Sequence, residues 1–125
     1  MNNIPLGKMG EKVAINYLIA QGYKIEDANY FNLKGYKKGE VDIIAHDKNG
    51  ELVFVEVKSR KGKKDSVVPE ENITPLKIRK IQKIANHYLA KEKLFDRNWR
   101  IDSVAIIFDF GQRKFHLRHI KYIRA

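Results

Sequence analysis

The chain has 125 residues, enough for one hydrophobic core and not two, and its 43% hydrophobic and 32% charged content excludes a disordered chain. No apolar run approaches the roughly 20 residues of a membrane span. Met1 to Pro5 has neither the basic head nor the apolar core of an export signal, and the lack of cysteine excludes disulfides and thiolate metal sites. These bounds point to a single cytoplasmic domain over residues 1–125, its first five residues expected to be disordered. The formal charge of +10, from 25 Lys and Arg against 15 Asp and Glu, points to a polyanion such as nucleic acid as partner.

The first element predicted is a helix from after Pro5 to Gln21, stopped by Gly22. Leu6, Gly10, Val13, Ala14, Tyr17 and Leu18 share one arc of it. Glu11 borders that arc, where a glutamate is usually a solvated flank. Tyr23 to Phe31 reads as a first strand, weakened by Asp27 and Asn29. Asn32 to Gly39 reads as a basic loop that includes Lys37 and Lys38.

Two alternating runs follow, Gly39 to Ile44 and Leu52 to Lys58, joined by a hairpin signal at Asp47-Lys48-Asn49-Gly50-Glu51. A two-residue Asn-Gly turn would set Asp42 opposite Val57. A three-residue loop with Gly50 in the left-handed conformation pairs Asp47 with Glu51. That second register sets Asp42 against Glu56, Glu40 against Lys58 and Ile44 against Phe54. It is favoured because it keeps both apolar sets whole. Val53, Val55 and Val57 then share one face, and Leu52, Phe54, Glu56 and Lys58 the other.

Ser59 to Asp65 reads as a charged loop. Arg60, Lys61, Lys63 and Lys64 make it either a solvated connection or, slightly favoured by its place, a phosphate-contacting flap. Thr74-Pro75 announces a second helix, Thr74 as N-cap and Pro75 at the first helical position. Its apolar stripe runs through Ile78, Ile81, Ile84, Ala85, Tyr88 and Leu89. Lys77 falls inside the stripe and Arg79 outside it. Lys77 either snorkels past the helix end or points at carboxylates. Trp99 to Phe110 predicts a strand buried on both faces, hence central. Lys114 to Ile120 predicts a last edge strand, with His116 and His119 read as surface polar groups. The fold class is α/β, in the order α-β-β-β-α-β with a further β at the end.

Two opposed carboxylates repel unless one is protonated or a cation lies between them. Oxygen ligands suit Mg²⁺, which takes one or two carboxylates with water and phosphate. Lys58 beside such a pair can neutralise an attacked phosphate. The cluster therefore reads as phosphodiester hydrolysis. The plain alternative is a surface hairpin with a Glu40–Lys58 salt bridge.

Val55-Glu56-Val57-Lys58, with Asp42 upstream and Glu11 on the preceding helix, resembles the restriction-endonuclease-like superfamily and its PD-(D/E)xK signature. The chain is more closely similar to the bacterial YraN family, described as distant relatives of archaeal Holliday junction resolvases. The likeness runs from about Gly7 to Asp102. It includes Gly10-Glu11, Gly22-Tyr23, Gly39-Glu40-Val41-Asp42, Phe54 to Arg60, Lys77 and Arg100-Ile101-Asp102. The superfamily's Pro before the Asp is Val41 here, whereas Glu-x-Asp fits the closer family.

The resemblance implies a restriction-endonuclease-like core, a mixed central sheet flanked by helices. It implies a DNA endonuclease dependent on Mg²⁺ or Mn²⁺, acting on branched or structured DNA among its substrates. The expected catalytic residues are Asp42, Glu56, Lys58 and Glu11, and the expected metal ligands Asp42, Glu56, Glu11 and Glu40. Arg60, Lys61, Lys63, Lys64, Lys77, Arg79, Lys37 and Lys38 are the candidate nucleic-acid contacts. A homodimer would suit a four-way junction. The rival expectation is a nucleic-acid-binding module that keeps the fold without cutting.

Overall fold

The computed structural model describes residues 4–30, 41–63, 73–94 and 96–123. Its elements are α1 (Leu6–Ala20), β1 (Lys24–Tyr30), β2 (Val41–His46), β3 (Leu52–Lys61), α2 (Pro75–Lys91), β4 (Trp99–Asp109) and β5 (Lys114–Ile120). The strands form one mixed sheet in the order β1-β2-β3-β4-β5. Only β3 and β4 are parallel. Parallel neighbours need a long crossover, and α2 supplies it. The protein is thus α/β, in the element order its sequence predicts.

Both helices end as their sequences require. At the close of α1, Gly22 stands at φ +93. Its N–H donates to the Ile19 carbonyl at 3.0 Å, and the Tyr23 N–H donates to that of Leu18 at 2.9 Å, a Schellman closure. Thr74 caps α2, its hydroxyl accepting the Lys77 N–H at 3.2 Å. The far end of α2 repeats the Schellman bonds around Lys93, a non-glycine residue held at φ +58.

The helices cover opposite faces of the sheet. Alternate residues of β3 divide between them: Leu52 and Phe54 join Ile78, Ile81 and Ile84 of α2. Val53 and Val55 join Ala14 and Leu18 of α1. Phe54 is fully buried and meets the rings of Tyr88 and Trp99 edge-on, with centroids at 5.8 and 5.5 Å. Truncating such a phenylalanine costs roughly 3–5 kcal/mol. As its apolar run predicts, β4 is an inner strand, between β3 and β5, with Arg100 to Asp109 all buried.

The hairpin adopts the register through Gly50, which lies at φ +87. Asp47 N–H bonds the Glu51 carbonyl at 2.9 Å, and Ile44 pairs with Phe54. One expectation is corrected. Ser59, Arg60 and Lys61 are not loop but the last part of β3, paired with Ile106, Ile107 and Phe108. The long apolar run of β4 offers a ladder beside them, and backbone pairing outweighs their charged composition.

Candidate active site

The site grows out of the place where β2 and β3 part. Their paired residues end at Ile43 and Val55. One step further, where the register would set Asp42 against Glu56, a side chain replaces the ladder. The Asp42 carboxylate accepts the backbone N–H of Val57 at 2.7 Å. Asp42 is thereby held in the gap between the strands, where its charge acts on Glu56.

Glu56 lies at the end of the apolar set that faces α2, and is only 7% exposed. Burial pushes its carboxyl up, the neighbouring Asp42 charge pushes it further, and Lys77 and Lys58 pull only partly the other way. The result is a pKa raised from 4.5 to about 7. Lys77 reaches in from the first turn of α2, its Nζ 3.6 Å from Glu56 Oε2. The lysine inside the apolar stripe therefore points at a carboxylate rather than snorkelling away. Glu56 Oε1 is buried with no hydrogen-bond partner, a costly condition for a charged acceptor. Lys58 is exposed two residues along the strand.

Glu11 arrives from the other face. It lines with Asp42 an open cavity of about 330 Å³, together with Pro5, Gly7, Lys8 and Val57. A close approach brings α1 there. A methyl group on Gly10 would overlap Ser59 Oγ and lie 2.8 Å from its Cβ, so only glycine lets the helix sit at this depth. Among the described residues no three His, Asp or Glu side chains gather into a metal cage. Asp42 and Glu56 form the pair, and Glu11 shares the cavity.

Glu40, Lys37, Lys38 and Lys64 lie outside the described residues. Lys61 and Lys63 are exposed beyond the site at the end of β3. Arg60 is half-buried there, and Arg79 is exposed on α2.

A second charged cluster sits at the opposite end of the sheet. Arg100, buried in β4, donates to Asp47 Oδ2 and Glu51 Oε1 at 2.7 Å, to Asp102 Oδ1 at 3.0 Å and to the Tyr23 hydroxyl at 2.8 Å. Burial alone would lower its pKa, but these carboxylates outweigh it and raise it. Burial likewise pushes Asp47 up, and the bonds from Arg100 and the Glu51 and Asn49 N–H groups hold it below 3.8. Asp102 also meets His119 Nε2 at 2.8 Å, whose Nδ1 lies 2.9 Å from the Tyr17 hydroxyl. This corrects the reading of both histidines as surface groups. The His119 side chain is 6% exposed, and His116 is half-buried with its Nε2 enclosed. The available signal was Arg100-x-Asp102, a pair of charges on one face of a strand otherwise apolar.

Fold and site together define an α/β protein with a mixed five-stranded sheet and a carboxylate pair where two antiparallel strands separate. A family profile described as "Uncharacterised protein family UPF0102" matches residues 10–106, and the chain belongs to that family, the YraN family its motifs resemble. A UPF0102 protein of Persephonella marina is 40% identical over 113 residues, 90% of each chain. One from Geotalea uraniireducens is 40% identical over 123 residues, 98% of this chain and 89% of the relative. One from Clostridioides difficile is 42% identical over 106 residues, 85% of this chain and 88% of the relative. No helix among the described residues is long and apolar enough to cross a membrane.

Proposed function

We propose that the protein is an endonuclease dependent on Mg²⁺ or Mn²⁺, hydrolysing phosphodiesters in cytoplasmic DNA, branched or structured DNA included. The observation that carries this reading is the state of Glu56. Its carboxyl is raised to about 7 by burial and by Asp42, and one of its oxygens is buried without a partner. A hard divalent cation between the two carboxylates would relieve both conditions. Two carboxylates, with water and substrate phosphate completing the shell, is the ligand set Mg²⁺ favours. When bound, the cation supplies charge stabilisation at the phosphate under attack.

The chain's own groups have separate tasks in this reading. Asp42 is fixed by the Val57 N–H, so its other oxygen is aimed without further ordering. Lys77 favours the ionised form of Glu56 from within the protein. Lys58, exposed beside it, meets the scissile phosphate and balances its growing charge. Glu11 faces the same cavity and orients what enters it. Arg60, Lys61, Lys63 and Arg79 contact the phosphate backbone on either side, an interaction that weakens as salt rises. The restriction-endonuclease-like comparison rests on this arrangement of Asp42, Glu56 and Lys58 on adjacent strands.

The test is incubation with linear, nicked, flapped and four-way DNA in Mg²⁺ and in Mn²⁺. Cleavage that disappears in Asp42→Ala and Glu56→Ala is the expected result. No cleavage of any substrate, or cleavage indifferent to both substitutions, overturns the reading. Tight, salt-sensitive DNA binding with no calorimetric response to metal would assign the fold to a non-catalytic binding module instead.

A further inference from the structure

An aromatic patch stands on β4 and β5, beside the end of β3, and takes no part in the site. Phe108 lies in the core on the α1 side of the sheet. Phe110 stacks on it, with centroids at 6.0 Å and planes 15° apart, and Phe115 tilts against it at 6.1 Å. Yet Phe110 is 53% exposed and Phe115 48%. Two phenylalanine rings left half in water beside a third make an apolar patch that calls for a partner.

The surroundings state the partner's charge. Phe108 has Lys61 as its ladder neighbour on one side and Phe115 on the other, so the three side chains form a row on one face. Lys61 is exposed at the end of that row and Arg113 is exposed in the β4–β5 turn, two residues before Phe115, in a chain of net charge +10. Exposed cations beside exposed aromatic rings suit a strand of unpaired nucleotides: phosphates meet the cations, and bases meet the rings.

The patch is also placed for it. Val57 lines the Glu11–Asp42 cavity, and Lys61 follows four residues along β3, about 13 Å at the rise of a strand. A stacked DNA strand covers that distance in about four steps of 3.4 Å, and a stretched one in fewer.

We propose that Phe110 and Phe115 form a stacking platform for unpaired bases a few nucleotides from the acidic site, so that DNA carrying a single-stranded arm or fork is the preferred ligand. The proposal deepens the endonuclease reading, whose substrate it narrows, and is tested apart from cleavage. The full-length protein, in EDTA, is titrated with forked DNA carrying 2-aminopurine at successive positions of the unpaired arm. Base stacking quenches this fluorophore at one or two positions in the wild type. Phe110→Ala with Phe115→Ala abolishes the quench and weakens fork binding about tenfold or more, with blunt-duplex affinity changed far less. Phe110→Tyr with Phe115→Tyr keeps the quench. Asp42→Ala also keeps it.

An unchanged quench in the double alanine variant, or equal loss of fork and duplex binding, overturns the platform. So does a wild-type dimer that the alanine substitutions dissociate, which would make the patch a contact between copies of the chain. Cleavage without quench removes the platform and leaves the endonuclease. Quench without cleavage does the reverse.

Discussion

Glu56→Gln tests the physical premise of the site with no substrate present. Burial, and then the charge of Asp42, make the ionised form of Glu56 costly and raise its pKa from 4.5 to about 7. At about 1.4 kcal/mol per pH unit, that amounts to roughly 3 kcal/mol of stability lost at pH 8. The folded chain binds more protons than the unfolded one between these two values, so stability falls as pH rises through the window. The loss is absent below about 4.5 and complete above about 7. Glutamine keeps the shape and cannot ionise. Thermal melts in EDTA should therefore coincide at pH 4.5 and separate progressively, the glutamine variant melting roughly 10 °C higher at pH 8, given about 3–5 °C per kcal/mol at this size. Mg²⁺ added at pH 8 should raise the wild-type melting temperature and leave the variant unmoved. Melting curves that stay parallel from pH 5 to pH 8 would refute the reasoning.

Other substitutions probe the framework. Asp42→Asn removes the charge that helps to raise Glu56, and carboxyl NMR should show Glu56 titrating below about 7. Gly10→Ala gains ~1 kcal/mol of helix propensity but meets Ser59. A net loss of about 2 kcal/mol in urea melts is expected, largely restored when Ser59→Gly is added. Arg100→Met leaves Asp47, Glu51 and Asp102 facing one another and should cost roughly 3–5 kcal/mol, again by urea denaturation. Lys93→Gly relieves the left-handed backbone at the end of α2 and should stabilise by about 1 kcal/mol.

Local signals were legible wherever one short segment decides the outcome. Pro5 and Gly22 bracket α1, Thr74-Pro75 opens α2, and the Asp47–Glu51 loop sets the hairpin register that points Asp42 at Glu56. Lys77 stood out because an ionised group inside an apolar stripe needs a counter-charge, and it meets Glu56. What stayed hidden depends on partners distant in the chain. Arg60 and Lys61 read as loop until β4 is beside them. His119 reads as surface until Asp102 and Tyr17, the latter 102 residues away, take its two nitrogens. The depth of α1, and so the nearness of Glu11 to Asp42, depends on Gly10 meeting Ser59 on the face of the sheet that α1 covers, which no pattern within either segment announces.

The parting of β2 and β3 makes the hairpin a counting device. From the Asp47–Glu51 closure, Asp42 is five residues back and Glu56 five residues on. Composition between them is negotiable as long as the two strands stay apolar, but their length is not. One residue inserted on either strand without a bulge would turn its acid to the opposite face of the sheet, taking Glu56 from Lys77 or Asp42 from Glu56. Arg100 guards the origin of that count, since it grips the two acids that close the turn. The β4–β5 turn carries no such obligation to the acidic pair. Within this fold, insertions at Gly111–Arg113 leave the carboxylates where they are, whereas insertions between Ile43 and Val55 move the chemistry itself.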